Sequence, residues 1–140
     1  MKNKAIIASV SLTALLLLGG ASVSVRAADL AEQVKVDVDS VGLHPGMEPG
    51  MYVCAAGHLH IKGTVQNLAN VPLGKIKVSG RAFDAAGNLL GTATAATKRS
   101  LLQPGEKTEI NLEFLTVTGD MIEQTKRHEI RVVEAPPSKL

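Results

Sequence analysis

Cysteine is almost absent. Cys54 is the only one in 140 residues, so no disulfide can form within the chain and packing alone must hold the fold. Aromatic residues are nearly as scarce: there is no Trp, and Tyr52, Phe83 and Phe114 make up the whole set. The core must therefore be built from Val, Leu, Ile and Ala. The same scarcity excludes the aromatic-rich packing that cradles haem and the stacking platforms that hold single-stranded nucleic acid. No Gly-x-Ser-x-Gly elbow is present, which removes one common route to nucleophilic catalysis. Gly46 and Gly50 each follow a proline, Pro45 and Pro49. Proline has no N–H to offer a phosphate, so this is not a phosphate-binding loop.

What is there begins with a targeting pattern. Lys2 and Lys4 form a short positive region, and an uncharged apolar stretch runs from Ala5 to Leu18. Gly19-Gly20 breaks it, and Val25-Arg26-Ala27 offers small or β-branched residues at −3 and −1. This predicts a signal peptide over residues 1–27, cleaved before Ala28. The apolar stretch is shorter than the roughly 20 residues a spanning helix needs, so no membrane span is expected after processing. No Cys sits just after it and no Arg pair precedes it, so general secretion of an unlipidated protein is expected. The predicted location is the periplasm, or outside the cell.

Removing residues 1–27 leaves 113 residues, enough for one domain. It also removes Lys2, Lys4 and Arg26 but no acid, changing 15 basic and 13 acidic residues to 12 and 13, a net of −1. The basic character of the whole chain is thus no argument for nucleic acid. Lys98-Arg99 with Lys107 is a small basic patch, too aromatic-poor for that role.

The remaining chain alternates. Val34 to Asp39 switches strictly between apolar and charged residues, the period of a half-buried strand. A long loop with two Pro-Gly breaks follows, Gly42 to Gly50. In His58 to Asn67, Leu59, Ile61 and Val65 face one way while His58, His60, Lys62 and Thr64 face the other. Further strands are expected over 75–83, 89–96, 107–114 and 128–132, with turns at Asp84–Asn88 and Leu102–Glu106. Ala28–Gln33 and Gly119–Gln124 each have room for one helical turn. The expected architecture is all-β: an immunoglobulin-like antiparallel β-sandwich over 28–135 after a cleaved signal peptide, ending in a flexible tail at 136–140. Its expected core is Val36, Val38, Leu59, Ile61, Val65, Ile76, Val78, Ile110, Leu112, Phe114, Ile130 and Val132.

Several of these pieces group together: Gly63-Thr64-Val65-Gln66-Asn67, Pro72-Leu73, Ile76-Lys77-Val78, Asp84 with Gly87, Leu90-Gly91-Thr92 and Leu102-Gln103-Pro104-Gly105-Glu106. In them, residues 63–106 resemble the FxLYD-type immunoglobulin-like domains of bacterial exported proteins. At the position of the naming signature this chain has Gly80-Arg81-Ala82-Phe83-Asp84, which keeps only the aromatic-Asp ending. The resemblance implies a binding or accessory module and no catalytic residues.

One segment carries ligand chemistry. His44, Met47, Met51, Cys54, His58 and His60 fall within 17 positions. Thioether, thiolate and imidazole together suit copper(I), and imidazole with thiolate suits zinc. His58 and His60 lie two apart on a strand, placing their Cβ atoms roughly 6–7 Å apart on one face. The expected metal ligands are Met47, Met51, Cys54, His58 and His60, with His44 as an additional candidate. The competing reading makes the histidines ordinary wet-face residues, the methionines edge plugs and Cys54 a small buried hydrophobe. Cys54-Ala55-Ala56-Gly57-His58 also has the outline of a c-type haem attachment with Gly57 in place of the second Cys. No catalytic constellation or cofactor site stands out, so the sequence reads as a non-enzymatic module that binds another periplasmic or secreted protein. Copper(I) handling through residues 44–60 is the alternative.

Overall fold

The computed structural model describes residues 29–39 and 47–139. The predicted signal peptide, His44 and Leu140 lie outside the described residues. A 3₁₀ turn, Ala31–Gln33, leads into β1 (Val34–Val38), β2 (Met51–Val53), β3 (His58–Asn67), β4 (Lys77–Phe83), β5 (Leu89–Ala96) and β6 (Lys107–Thr118). A short helix α1 (Asp120–Gln124) and β7 (Arg127–Glu134) follow.

The strands form two antiparallel sheets that pack as a sandwich. In the first, β3 is central: β6 pairs along one side, and β1 and β2 pair along the other. Val38 opposes Gly63 and Met51 opposes Ile61, so β1 and β2 are successive pieces of one edge. The second sheet has the order β5-β4-β7. β1, β3 and β6 thus correspond to strands A, B and E of the immunoglobulin arrangement, and β5, β4 and β7 to C′, C and F.

The alternation read from the sequence decides which side chains meet between the sheets. Leu59, Ile61 and Val65 of β3, Ile76 and Val78 before and on β4, and Leu112 and Phe114 of β6 are all fully buried. Met51, Leu73, Leu102 and Val117 join them at 1% exposure or less, although none was expected in the core. Conversely, Val36, Val38, Ile130 and Val132 are only half-buried. They lie on β1 and β7, which end their sheets and are covered from fewer sides.

Two strand ends differ from expectation. β6 runs to Thr118, four residues beyond the predicted end, because the register against β3 jumps from Phe114 to Thr118. Leu115 still faces outward at 62% exposure, but the irregularity breaks the period at exposed Thr116, and Val117 returns to the core. β4 starts at Lys77; the Ile76 amide is held instead by the Thr97 hydroxyl at 3.1 Å.

The segment expected to be a flexible tail is tied down as far as Ser138. Gly74 donates to Pro136 O, and Ser138 donates to Pro72 O. Proline lacks a donor but keeps its carbonyl, so Pro136 can still bond as an acceptor. Asn67 anchors the same end of the molecule. It is fully buried; its amide nitrogen donates to Val71 O and Leu102 O, both at 2.9 Å, and its oxygen accepts from the Ala69 amide at 2.8 Å.

Candidate functional site

The sandwich architecture splits the predicted ligands between two faces of one sheet. Met51 opposes Ile61 and is 1% exposed, so its thioether points into the core. Met47 packs against that core and shares with Met51, Val53, Ile122 and Lys126 a cleft of about 580 Å³ beside α1. Tyr52, the next residue, opposes His60 and faces outward with it. His58 and His60 therefore look away from the methionines, because successive residues of a strand point to opposite faces. The five expected ligands Met47, Met51, Cys54, His58 and His60 do not converge. Among the described residues, no group of three or more His, Cys, Asp or Glu is arranged to hold a metal ion.

Cys54 is half-buried in the turn joining β2 to β3. Its amide donates to His58 O at 3.1 Å and its carbonyl accepts from the Gly57 amide at 2.9 Å. The haem-like outline Cys54–His58 is thus a tight hairpin. Gly57, at φ +86°, supplies the left-handed residue that the turn requires.

What the outer face does assemble is a polar network around His60. The residue was expected on the wet face, and it is there, but it is only 8% exposed. The Tyr52 ring stacks on the imidazole with centroids 4.8 Å apart and shields it. Asn111 lies one strand over on β6. Its Oδ1 is 2.8 Å from His60 Nδ1, and its Nδ2 donates to the Tyr52 hydroxyl at 2.6 Å. This assigns the Nδ1 proton to His60. The other imidazole nitrogen, Nε2, sits 3.2 Å from Glu113 Oε2, yet it is buried without a hydrogen-bond partner. The second carboxylate oxygen, Oε1, is 3.5 Å from His58 Nδ1, so Glu113 bridges both histidines.

Three of the five members, Tyr52, Asn111 and Glu113, escaped the sequence reading. The strict alternation of Glu109 to Phe114 does put Asn111 and Glu113 on an outward face. Nothing local says that this face adjoins His60, which lies 51 residues from Asn111 in sequence. Tyr52 sits on a three-residue strand, too short to display a period.

The same face continues into a basic cleft. Lys62 on β3 joins Lys98, Arg99 and Lys107 around an opening of about 500 Å³ that Asn111 also lines. Lys98, Arg99 and Lys107 were legible as a patch; Lys62 was not, because only strand pairing brings it there. Arg99 is partly neutralised by Glu106 at 3.0 Å. Glu106 is held below the usual carboxylate range, chiefly by the bond it accepts from the Gln103 amide and then by Arg99.

No family model matches the chain, and no curated protein matches it. A similar solved structure is that of a DUF1425 family member from Shewanella sp. pv-4. It has 15% sequence identity and a TM-score of 0.42, over 72% of this chain and 77% of that one. The FxLYD-type resemblance accordingly rests on the residues between 63 and 106 alone. Among the described residues, no helix is long and apolar enough to cross a membrane.

Proposed function

We propose that this chain is a non-catalytic binding or accessory module, exported to the periplasm, that engages another exported protein through the outer face of the β1/β2-β3-β6 sheet. The observation that carries this reading is the Tyr52–His60–Asn111–Glu113 network. Its side chains are stacked and hydrogen-bonded before any partner arrives, so little rotamer entropy is lost on binding. Tyrosine presented rigidly at a surface is a favoured recognition residue. The face offers an aromatic and imidazole cluster at one end and Lys62, Lys98 and Lys107 at the other. A partner segment carrying an acidic stretch next to an apolar or aromatic side chain complements both.

The network lies on a sheet face, and Asn111 joins it to the basic cleft at the β6 margin, whereas the cleft lined by Met47 and Met51 opens beside α1. Copper(I) handling loses its basis once the thioethers and imidazoles are on opposite faces, so it is not carried further.

Co-purification from periplasm tests the proposal. Wild type should recover a partner reproducibly, and Tyr52→Ala should lose it while keeping the same far-ultraviolet circular dichroism. Equal recovery by the two, or recovery of the chain alone together with turnover of a small substrate, overturns the proposal.

A further inference from the structure

The second sheet ends, among the described residues, on β7. In the immunoglobulin arrangement the corresponding strand F is followed by a strand G at this edge. Here the chain instead leaves β7 through Ala135 and Pro136 and bonds to Gly74. Among the described residues no further strand pairs with this edge, and only Ala135, just past β7, is held there, by the Leu30 amide and the Asp29 carboxylate. The inward-facing residues of β7, Ile130 and Val132, are correspondingly only half-buried.

Edges of this kind are usually blunted by charge, and β7 carries charge on its outward face: Arg127, Glu129 and Arg131, all exposed. Their order has a consequence. We propose that β7 pairs antiparallel with β7 of a second copy of this chain, about a two-fold axis through Ile130. Directly opposed residues of an antiparallel pair share a face, so a symmetric pairing must join residues of the same parity. Centred on Ile130, it sets Glu129 against the partner's Arg131 and Arg131 against the partner's Glu129. On the inner face it sets Ile130 against its own copy and His128 against the partner's Val132.

The neighbouring registers are excluded by charge. Centring on Glu129 opposes Glu129 to itself and Arg127 to the partner's Arg131. Centring on Arg131 opposes two arginines. Parallel pairing in register opposes every charge to its like. Like charges directly opposite one another destabilise a strand pair, whereas opposite charges support it. In the favoured register the charges also alternate across strands. Arg81 of β4 is already 3.4 Å from Glu129, and that row would continue into the partner's Arg131. The bulge at Val133, where Lys77 pairs with Glu134 but Val78 with Val132, limits the regular segment to Arg127–Val132. The product is one continuous sheet of order β5-β4-β7-β7-β4-β5 with an isologous interface, a closed assembly that cannot propagate into a fibre.

The test uses the chain from Ala28 onward, which contains every described element, in light scattering and sedimentation equilibrium across the micromolar to millimolar range. Wild type should approach twice the monomer mass as concentration rises. Arg131→Glu leaves the in-chain pairs of Glu129 intact but creates two Glu–Glu oppositions, and should weaken self-association by roughly tenfold or more. Glu129→Arg should do the same through two Arg–Arg oppositions. Mixing the two variants restores both complementary pairs, so the mixture should dimerise about as well as wild type. A wild type that stays monomeric at every concentration overturns the proposal. So does a dimer that Arg131→Glu leaves intact, or a mixture that associates no better than either variant alone.

Discussion

At the scale of single residues, buried polar groups decide the most. Asn67 is one of few polar side chains without solvent contact, and it satisfies three backbone groups from three places in the chain: Ala69, Val71 and Leu102. Asn67→Ala would take away the partners of the Ala69 amide and the Val71 carbonyl, while the Leu102 carbonyl keeps the bond it accepts from the Leu73 amide at 2.9 Å. At roughly 1–3 kcal/mol for each unsatisfied group, the loss should be about 2 kcal/mol or more. Urea denaturation read by circular dichroism checks this; a loss within experimental error would mean that the loop rebuilds its bonds. Asn67→Asp should also be destabilising, because an ionised carboxylate cannot donate to Val71 and Leu102. The sequence marks Asn67 as a turn residue. Its burial is not legible there, since Leu102 and Glu106 reach it only through the fold. His60 shows the same limit from the other side. Its outward direction follows from strand period, whereas its burial depends on the Tyr52 ring arriving from β2.

Among the elements, two turns hold carboxylates that folding keeps below their ordinary range. Asp84 opens the β4–β5 hairpin turn, and its carboxylate accepts from the amides of Ala86 and Asn88 and from the Asn88 side chain. These bonds, led by that of the Asn88 side chain, hold Asp84 below the usual carboxylate range. Glu106 is lowered in the same way at the turn before β6. A carboxyl lowered by folding contributes stability above its unfolded pKa, and that contribution disappears as pH falls through the folded value. Unfolding midpoints in urea should thus fall on acidification below about pH 4, the ordinary range for these groups. Replacing Asp84 and Glu106 by Asn and Gln should flatten that part of the profile; an unchanged slope would show that other carboxylates are responsible. These turns were readable from Asp84-Ala85-Ala86-Gly87-Asn88 and Gln103-Pro104-Gly105-Glu106, because turn chemistry is local. Strands of seven or more residues were readable for the same reason. The division of one edge into β1 and β2, and the continuation of β6 past its bulge, were not. Both are set by register against β3, a long-range property.

For the molecule as a whole, function depends on which side chains the sandwich turns inward and which it turns out. The sequence groups Met47, Met51, Cys54, His58 and His60 as one candidate metal site, and one register, Met51 opposite Ile61 and Tyr52 opposite His60, separates them. The same register creates the Tyr52–His60–Asn111–Glu113 face and extends it past Lys62 to the basic cleft. The central claim is that this face meets the partner. Site-specific photocrosslinking in periplasm addresses it most directly, with the photoreactive residue at Lys62 on the outer face of β3 or at Thr92 on the outer face of β5. The account predicts a discrete adduct from position 62 and none from position 92. Adducts of equal yield from both positions, or from position 92 alone, would contradict it.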